Sequence, residues 1–300
     1  MKKIFDYFLH PSNIVGWLMI NKPHFFKNDK YFLKKKWKYM YGSELNINSP
    51  TTFNEKLNWL KINNRQPVIT VMADKYAVKK FVANKIGEEY VVPCYGVWDS
   101  FGEIEFEKLP SQFVIKATHD SSGATVVRDK STFDITTAKK KFDRIMKRNW
   151  FWPYREWAYK DIPPRIIADK YLDDQSGHEL TDYKFWCFNG VPKLMYFTNK
   201  GKYIEENFYD MDFHVVNINH GYPRHTPEYS RPANFELMKS LCCKLLEGEN
   251  LPFVRVDFFD VDNHVYFGEF TFYDWAGFRP FVDPKWEKDL GSWIQLPPIV

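Results

Sequence analysis

Two strand-like segments near the C-terminus, each with a carboxylate inside an apolar run, constrain the fold of this chain most. Residues 253–259 read FVRVDFF and contain Asp257, and residues 264–270 read HVYFGEF and contain Glu269. The four residues between them predict a hairpin turn. Because side chains alternate along a strand, Arg255 lies on the face of Asp257, and pairing brings Asp257 within about one residue of Glu269.

Two carboxylates placed in this way repel each other, and burying them unpaired costs several kcal/mol. A positive counter-charge is therefore required, and Mg²⁺ with a polyphosphate supplies one. The alternative is an edge hairpin whose acidic side chains are solvated.

Length and composition favour a globular protein with about two domains or subdomains. The chain has 300 residues, of which 44% are hydrophobic and 19% aromatic. A net charge of +4 is too small to predict a nucleic-acid partner. The cysteines have neither CxxC nor Cys/His metal spacing, which favours reduced core thiols over a zinc site.

The N-terminal segment contains polar breaks at Asp6, His10 and Pro11, which argue against a signal peptide. Nothing approaches the run of about 18 apolar residues that a transmembrane helix needs. We therefore expect a cytoplasmic protein without a transmembrane segment. The aromatic and basic first 40 residues predict either a packed helical cap or a peripheral contact with a membrane or a partner protein.

Hydrophobic periodicity predicts alternating helices and strands before the hairpin. Helices are predicted at residues 53–60, 74–86, 136–148 and 234–246. Strands are predicted at residues 91–95, 113–118, 124–128, 165–171, 182–188 and 193–197.

The segment 113–127 has features of a phosphate-binding hairpin. Lys116 lies inside an apolar strand and is followed by a loop of small residues that contains His119, Ser121, Ser122 and Gly123. Small residues let backbone N–H groups approach phosphate oxygens, and the lysine adds a point charge. The alternative is an ordinary hairpin with an exposed loop, because only one glycine is present.

Other ordered segments carry polar groups that fit a nucleotide. Residues 165–173 predict a strand whose backbone can face an adenine edge, with Leu172 covering the ring. Residues 182–188 predict a strand that carries a cation at Lys184. Together with Lys75, Lys116 and Arg255, this lysine makes a set of cations that suits a triphosphate.

Six motifs in this order resemble the ATP-grasp superfamily and, more closely, the TupA-like ATP-grasp family, which is found with teichuronopeptide, capsular polysaccharide and lipopolysaccharide biosynthesis. The motifs are residues 52–57 (TFNEKL), 74–78 (DKYAV), 165–171 (RIIADKY), 182–185 (DYKF), 187–190 (CFNG) and 253–257 (FVRVD).

The resemblance implies an α+β protein with the ATP-grasp fold, in which two antiparallel α+β subdomains clasp ATP. It implies an N-terminal helical region at residues 1–65, a lid subdomain with its preceding helix at 66–168, and a metal-binding catalytic subdomain at 169–300. The segment before Lys75 is too short and too helical for the α/β domain that usually precedes this core.

The resemblance also implies the ligands, ATP and Mg²⁺, with two ions expected. Lys75 and Lys116 then face the phosphates, the loop from His119 to Gly123 closes over them, and Asp169, Lys170 and Leu172 form the adenine hinge. Lys184 and Arg255 neutralise the transferred phosphate, and Asp257 and Glu269 bind the metal. Thr271 stands where many relatives have Asn, so metal binding at this position depends on a hydroxyl or carbonyl oxygen.

The implied chemistry is carboxylate–amine ligation through an acyl phosphate, with an amino acid or related amine joined to a sugar acid in a glycan precursor. Trp150, Trp152, Tyr154 and Trp157 suit stacking on sugars, and Arg148 or Arg155 suits a uronate; a helix end packed in the core is the alternative. Arg279 is the candidate for holding a second carboxylate, as an amino-acid substrate requires, and a structural salt bridge is its alternative. A phosphotransferase acting on a sugar hydroxyl and a glycan assembly protein or glycosyltransferase without ligase activity remain alternatives.

Overall fold

Five α-helices lead into the first sheet within the described part of the chain. The computed structural model describes residues 11–121, 123–174, 180–200 and 204–298. The helices are Pro11–Asn21, Asp29–Tyr41, Phe53–Asn63, Pro67–Ala73 and Ala77–Ile86. The third begins with a capping box between Thr52 and Glu55 and buries Phe53 and Leu57, as its apolar spacing predicts. No helix in the described ranges is long and apolar enough to cross a membrane.

The predicted helix at 74–86 is wrong at its start, because the chain turns at Asp74 before the helix Ala77–Ile86 begins. The Asp74 carboxylate accepts a hydrogen bond from the Tyr76 N–H at 2.8 Å. Aspartate side chains compete in this way with helical backbone pairing. The turn places Lys75 between two helices.

The first sheet is antiparallel and has four strands in the order β1-β4-β2-β3. These are β1 (Cys94–Trp98), β2 (Phe113–Ala117), β3 (Thr125–Val127) and β4 (Ile166–Lys170). The helix Ile135–Ile145 contributes Phe142 and Ile145 to the core of this sheet, where Phe113 and Ile115 are also buried. Because residues alternate along β2, Lys116 is not part of that core.

The second sheet is antiparallel and has six strands in the order β10-β9-β5-β6-β7-β8. These are β5 (Tyr183–Phe188), β6 (Val191–Lys200), β7 (Ile204–Tyr209), β8 (Val215–Val216), β9 (Phe253–Val261) and β10 (His264–Thr271). The helices Phe235–Leu246 and Lys285–Trp293 complete this part. The sequence analysis missed β7, β8 and the last helix.

The hairpin of β9 and β10 has the pairing that the sequence predicts, with Glu269 opposite Asp257. Its turn contains only Asp262 and Asn263, with φ angles of 53° and 60°. Such positive angles belong to the tight turns that match the twist of paired strands, and Asp and Asn tolerate them. A bulge between Phe267 and Glu269 shifts the register and brings Glu269 opposite Asp257.

Candidate active site

Residues of both sheets line one cavity of about 730 Å³. Strands β2 and β4 supply one wall, strands β5, β9 and β10 supply the other, and the turn at Lys75 closes one side. Among the predicted site residues, the cavity is lined by Lys75, Lys116, Ser121, Gly123, Asp169, Lys170, Leu172, Lys184, Arg255, Asp257 and Glu269. Ser122 lies outside the described residues.

Arg255 is the centre of the charged wall. Its Nε and one terminal nitrogen donate to the two oxygens of Asp257, both at 2.7 Å. The same terminal nitrogen donates to Glu269 at 3.0 Å, and the other donates to Asp274 at 2.8 Å. Burial raises the pKa of Asp257 to about 6, and the guanidinium of Arg255 opposes that rise. One cation therefore holds three carboxylates in place.

Asp274 is a site residue that the sequence analysis missed. It is buried, and it also accepts a hydrogen bond from the Tyr196 hydroxyl at 3.3 Å. The available signal was an acidic residue among aromatics, three positions after the end of β10. A buried acid needs a partner, and Arg255 is that partner.

Lys184 connects Asp257 with a further carboxylate at the cavity wall. Its Nζ lies 2.6 Å from Asp182 Oδ2 and 3.8 Å from Asp257 Oδ2. The lysine is buried and aligned with Asp257 across the paired strands β5 and β9. Lys184 and Arg255 thus flank the same carboxylate.

The opposite wall has its own charge cluster around Asp169. Lys116 Nζ lies 3.1 Å from one Asp169 oxygen, and Lys79 Nζ lies 2.9 Å from the other. Lys79 also lines the cavity, although the sequence analysis did not single it out. No local pattern marks it, because its partner Asp169 lies on the distant strand β4.

Lys75 reaches the loop that follows β2. Its Nζ donates to the Asp120 carbonyl at 2.7 Å, and its backbone N–H donates to the Thr118 carbonyl at 3.2 Å. Burial lowers the pKa of Lys75, and the nearby carboxylate of Glu269 opposes this. The lysine is therefore held at the junction of both walls.

The small-residue loop is fixed at both ends. Gly123 has a φ of +99°, and a Cβ there would lie 2.6 Å from Ile145 Cδ1, so a larger residue does not fit without movement. His119 is buried with its Nε2 3.2 Å from the Ile145 carbonyl. Burial lowers the pKa of His119, and the residue is absent from the cavity lining. In this structure His119 anchors the loop to the neighbouring helix.

The cavity is apolar beyond β4. Leu172 packs with Val92 and Val261, and Phe259 contacts the same cluster. The Lys170 N–H donates to the Pro93 carbonyl at 2.8 Å, so this donor is already used. The predicted adenine hinge therefore has apolar side chains that could cover a base. The Asp169 side chain, however, forms ion pairs with Lys79 and Lys116.

Besides His119, two further predicted site residues, Thr271 and Arg279, are absent from the cavity lining. The Thr271 hydroxyl donates to Glu269 Oε1 at 3.4 Å. Arg279 donates through Nε to the His220 carbonyl at 2.9 Å, and its guanidinium carbon lies 4.3 Å from the Tyr222 ring and 4.9 Å from the Trp275 ring.

The hypothesis that Arg155 pairs with a uronate is wrong. Arg155 is fully buried and donates to the carbonyl groups of Pro23 and Phe26 at 2.9 and 2.7 Å. Its Nε also lies 2.9 Å from Asp29 Oδ1. The arginine therefore fastens the N-terminal helices to the core, which is the alternative that the sequence analysis kept open for this cluster.

The charged residues fit a magnesium–polyphosphate group. Asp257 and Glu269 offer carboxylate oxygens, which Mg²⁺ prefers, and they lie side by side on paired strands. The Glu269 side chain is 42% exposed, so its oxygens are accessible from the cavity. Lys75 and Lys116 supply positive charge for phosphate oxygens.

Two antiparallel sheets around a cavity with these cations and paired carboxylates define a protein of the ATP-grasp class. The family model described as TupA-like ATPgrasp matches residues 55–295. The chain belongs to this family. No curated protein has a matching sequence.

Several solved structures are similar to this chain at low sequence identity. D-alanine–D-alanine ligase from Bacillus anthracis is 15% identical with a TM-score of 0.46, and the match covers 80% of this chain and 69% of that one. L-amino acid ligase from Bacillus licheniformis is 13% identical with a TM-score of 0.46, with 71% and 46% covered. N5-carboxyaminoimidazole synthetase from Staphylococcus aureus is 14% identical with a TM-score of 0.41, with 67% and 44% covered. The chain thus spans less than half of the last two proteins, and its family assignment rests on the family model alone.

Proposed function

We propose that this protein is an ATP- and Mg²⁺-dependent ligase that joins a carboxylate to an amine. The observation that carries the proposal is the contact of Arg255 with both Asp257 and Glu269 in a cavity that Lys75 and Lys116 also line. Carboxylates for a metal and cations for phosphates are thereby brought to one place. Such preorganised charge is the main catalytic requirement of phosphoryl transfer.

The proposed reaction has two steps. A substrate carboxylate oxygen attacks the γ-phosphorus of ATP, the bond to the bridging oxygen breaks, and ADP leaves with those electrons. The resulting acyl phosphate is attacked at its carbonyl carbon by an amine, which loses a proton, and inorganic phosphate leaves. Bound Mg²⁺ would neutralise phosphate charge during the first step.

The residues of the chain have separate roles in this proposal. Lys75 and Lys116 bind the phosphates, while Lys184 and Arg255 neutralise the group in transfer. Asp257 and Glu269 hold the metal, for which we propose two ions, with Thr271 orienting Glu269 through its hydroxyl. Ser121 and Gly123 present the loop to the phosphates, and Leu172 covers the base.

The proposed acceptor is a sugar acid of a surface polysaccharide precursor, joined to an amino acid or a related amine. The association of the family with polysaccharide biosynthesis supports this substrate class. Arg279 is our candidate for the carboxylate of the amino-acid substrate. Its guanidinium carbon lies 4.3 Å from the Tyr222 ring centre and 4.9 Å from the Trp275 ring centre, and among the described residues only its Nε donates a hydrogen bond. Its two terminal nitrogens suit a carboxylate. We therefore propose Arg279 as the anchor of a substrate carboxylate.

The decisive experiment measures ADP release with Mg-ATP, a uronic acid and a mixture of amino acids. We expect release only when both the acid and the amine are present. Asp257→Asn and Glu269→Gln should abolish it, whereas Asp262→Asn, which changes an exposed acid in the same hairpin, should leave it unchanged. Near-normal release by Asp257→Asn would contradict the proposal.

The same assay distinguishes the alternatives. A phosphotransferase would give a stable phosphorylated sugar without an amine. A glycan assembly protein or a glycosyltransferase would release no ADP and would be stabilised against heat by a UDP-sugar or a glycan rather than by Mg-ATP.

A further inference from the structure

The helix Pro11–Asn21 contains no charged residue, and yet large apolar side chains of this helix are exposed. A helix that is apolar on all sides is normally buried in a core or a membrane. Trp17 is nevertheless 44% exposed and Ile20 is 62% exposed, and Phe25 in the next turn is 63% exposed. We refer to Trp17, Ile20 and Phe25 as the N-terminal apolar surface. Within the described ranges, nothing covers it.

Positive charge is concentrated in the same part of the sequence. Residues 11–43 contain seven lysines and a single acidic residue, Asp29, whereas the whole chain has a net charge of only +4. Asp29 is already neutralised, because its carboxylate lies 2.6 Å from an Arg65 nitrogen and 2.9 Å from Arg155 Nε. Lys22, Lys27, Lys30 and Lys35 are exposed. Lys38 is exposed too, but its Nζ lies 2.5 Å from the Glu44 carboxylate and its charge is compensated there.

The surface is attached firmly to the rest of the protein. Gly16 packs so closely on the Tyr39 ring that an added Cβ would lie 2.9 Å from it. Arg155 is buried and donates to the carbonyl groups of Pro23 and Phe26, on either side of Phe25. The helix therefore has a defined orientation, and its exposed side chains have a fixed position relative to the core.

Within the described residues, this helix is too short to cross a membrane, and its dimensions suit an interfacial position. Its 11 residues rise about 1.5 Å each and span about half of the ~30 Å hydrocarbon layer. Tryptophan and phenylalanine beside lysines are the residues that anchor proteins at the boundary between headgroups and acyl chains. The local excess of lysine matches the negative charge of anionic lipids.

We propose that the N-terminal apolar surface docks on an anionic lipid bilayer. Trp17, Ile20 and Phe25 enter the headgroup region, and the exposed lysines lie over anionic headgroups. This contact is independent of the ligase activity proposed above. It holds the enzyme at a lipid surface while the cavity between the sheets does the chemistry.

The test is co-sedimentation of the full-length protein with phosphatidylcholine vesicles that contain or lack phosphatidylglycerol. We expect binding only to the anionic vesicles, and weaker binding as salt rises. Trp17→Ser/Ile20→Ser should reduce vesicle binding about tenfold or more, because two apolar anchors are lost. Lys22→Gln/Lys30→Gln/Lys35→Gln should reduce binding to a similar extent.

Two matched controls separate the surface from general effects. Val282→Ser removes an apolar side chain that is 66% exposed elsewhere, and Lys108→Gln/Lys140→Gln/Lys147→Gln removes three exposed lysines outside the N-terminal part. Both should bind vesicles as the wild type does, and all variants should keep the wild-type unfolding temperature.

Absence of binding to anionic vesicles would overturn the inference, as would binding that the N-terminal variants do not weaken. Sedimentation velocity supplies a further test. Self-association that Trp17→Ser/Ile20→Ser abolishes, without vesicle binding by the wild type, would show that the surface joins two copies of the chain and would overturn the lipid assignment.

Discussion

Arg255 and Asp257 are joined by two parallel hydrogen bonds of 2.7 Å, although both residues belong to the same strand. A planar guanidinium is the side chain that can make this bidentate contact. Its remaining donors reach Glu269 and Asp274, so the arginine fixes the acidic wall of the cavity.

Replacing Arg255 by Met should destabilise the protein by about 3–5 kcal/mol, because buried carboxylates lose their counter-charge. The loss should shrink as pH falls. Burial already raises the pKa of Asp257 to about 6, and removing the cation raises it further, so the folded state takes up a proton where the unfolded state does not. Urea unfolding at pH 7 and pH 5 measures this. Arg144→Ala, an exposed arginine, should change stability by no more than about 0.5 kcal/mol.

Gly268→Ala should disturb the bulge that brings Glu269 opposite Asp257. An added Cβ would lie 3.0 Å from the Asp257 carbonyl, and this backbone atom cannot move without moving strand β9. We expect the free energy of unfolding to fall by about 1–3 kcal/mol. We also expect the turnover rate to fall, because the position of Glu269 opposite Asp257 is disturbed. Gly102→Ala is the control, because an added Cβ meets nothing within 4 Å there. Equal activity of both variants would show that the bulge does not set the geometry of the site.

Lys79→Met should weaken Mg-ATP binding about tenfold, because the ion pair with Asp169 is lost and Lys116 is then drawn fully to that carboxylate. Lys80→Met is the matched control, since it changes the next residue of the same helix, which is exposed and absent from the cavity lining. Isothermal titration with Mg-ATP compares them. Indistinguishable affinities would remove Lys79 from the nucleotide site.

Lys61 and Glu156 are both buried, and each should affect the protonation of the other. Burial lowers the pKa of Lys61 and raises the pKa of Glu156, and the attraction between the two opposes both shifts. Lys61→Met should therefore cost about 3–5 kcal/mol at pH 7. That cost should decrease as pH falls toward 4.5, the ordinary pKa of Glu. Over this range Glu156 binds a proton in the folded variant but not in the unfolded chain, which stabilises the folded state.

The double variant Lys61→Met/Glu156→Gln completes this test. It should be more stable than Lys61→Met alone, because neither charge remains buried. Urea unfolding of both single variants and the double variant gives the coupling energy, for which we expect more than about 1 kcal/mol. Additive effects would show that the two charges are independent.

The sequence predicted the parts of the fold that depend on local patterns. The pairing of Glu269 with Asp257 followed from alternation and a short turn, and the structure confirms it. The family motifs predicted most of the charged residues of the site, and these residues line the same cavity. The ATP-grasp assignment was therefore accessible from one sequence.

Long-range contacts were less accessible. Asp274 joins the site through Arg255, and Lys79 joins it through Asp169. Each partner lies in a different element of the chain. The side-chain type of Arg155 and its aromatic neighbours suited a sugar-acid site. Only its burial against carbonyl groups of the N-terminal part shows its structural role. Side-chain type indicates what a residue can bind, whereas its position in the fold selects which partner it meets.

The turn at Asp262 and Asn263 also limits how this part of the chain can change in length. Because the turn has only two residues, it cannot accommodate an extra residue without a change in the pairing of the two strands. A slip of one position would turn Glu269 to the opposite face of the sheet and leave Asp257 facing a neighbour of different chemistry. Insertions or deletions at this hairpin should therefore be far less tolerated than point substitutions, which makes its length a useful criterion for recognising active members among divergent sequences.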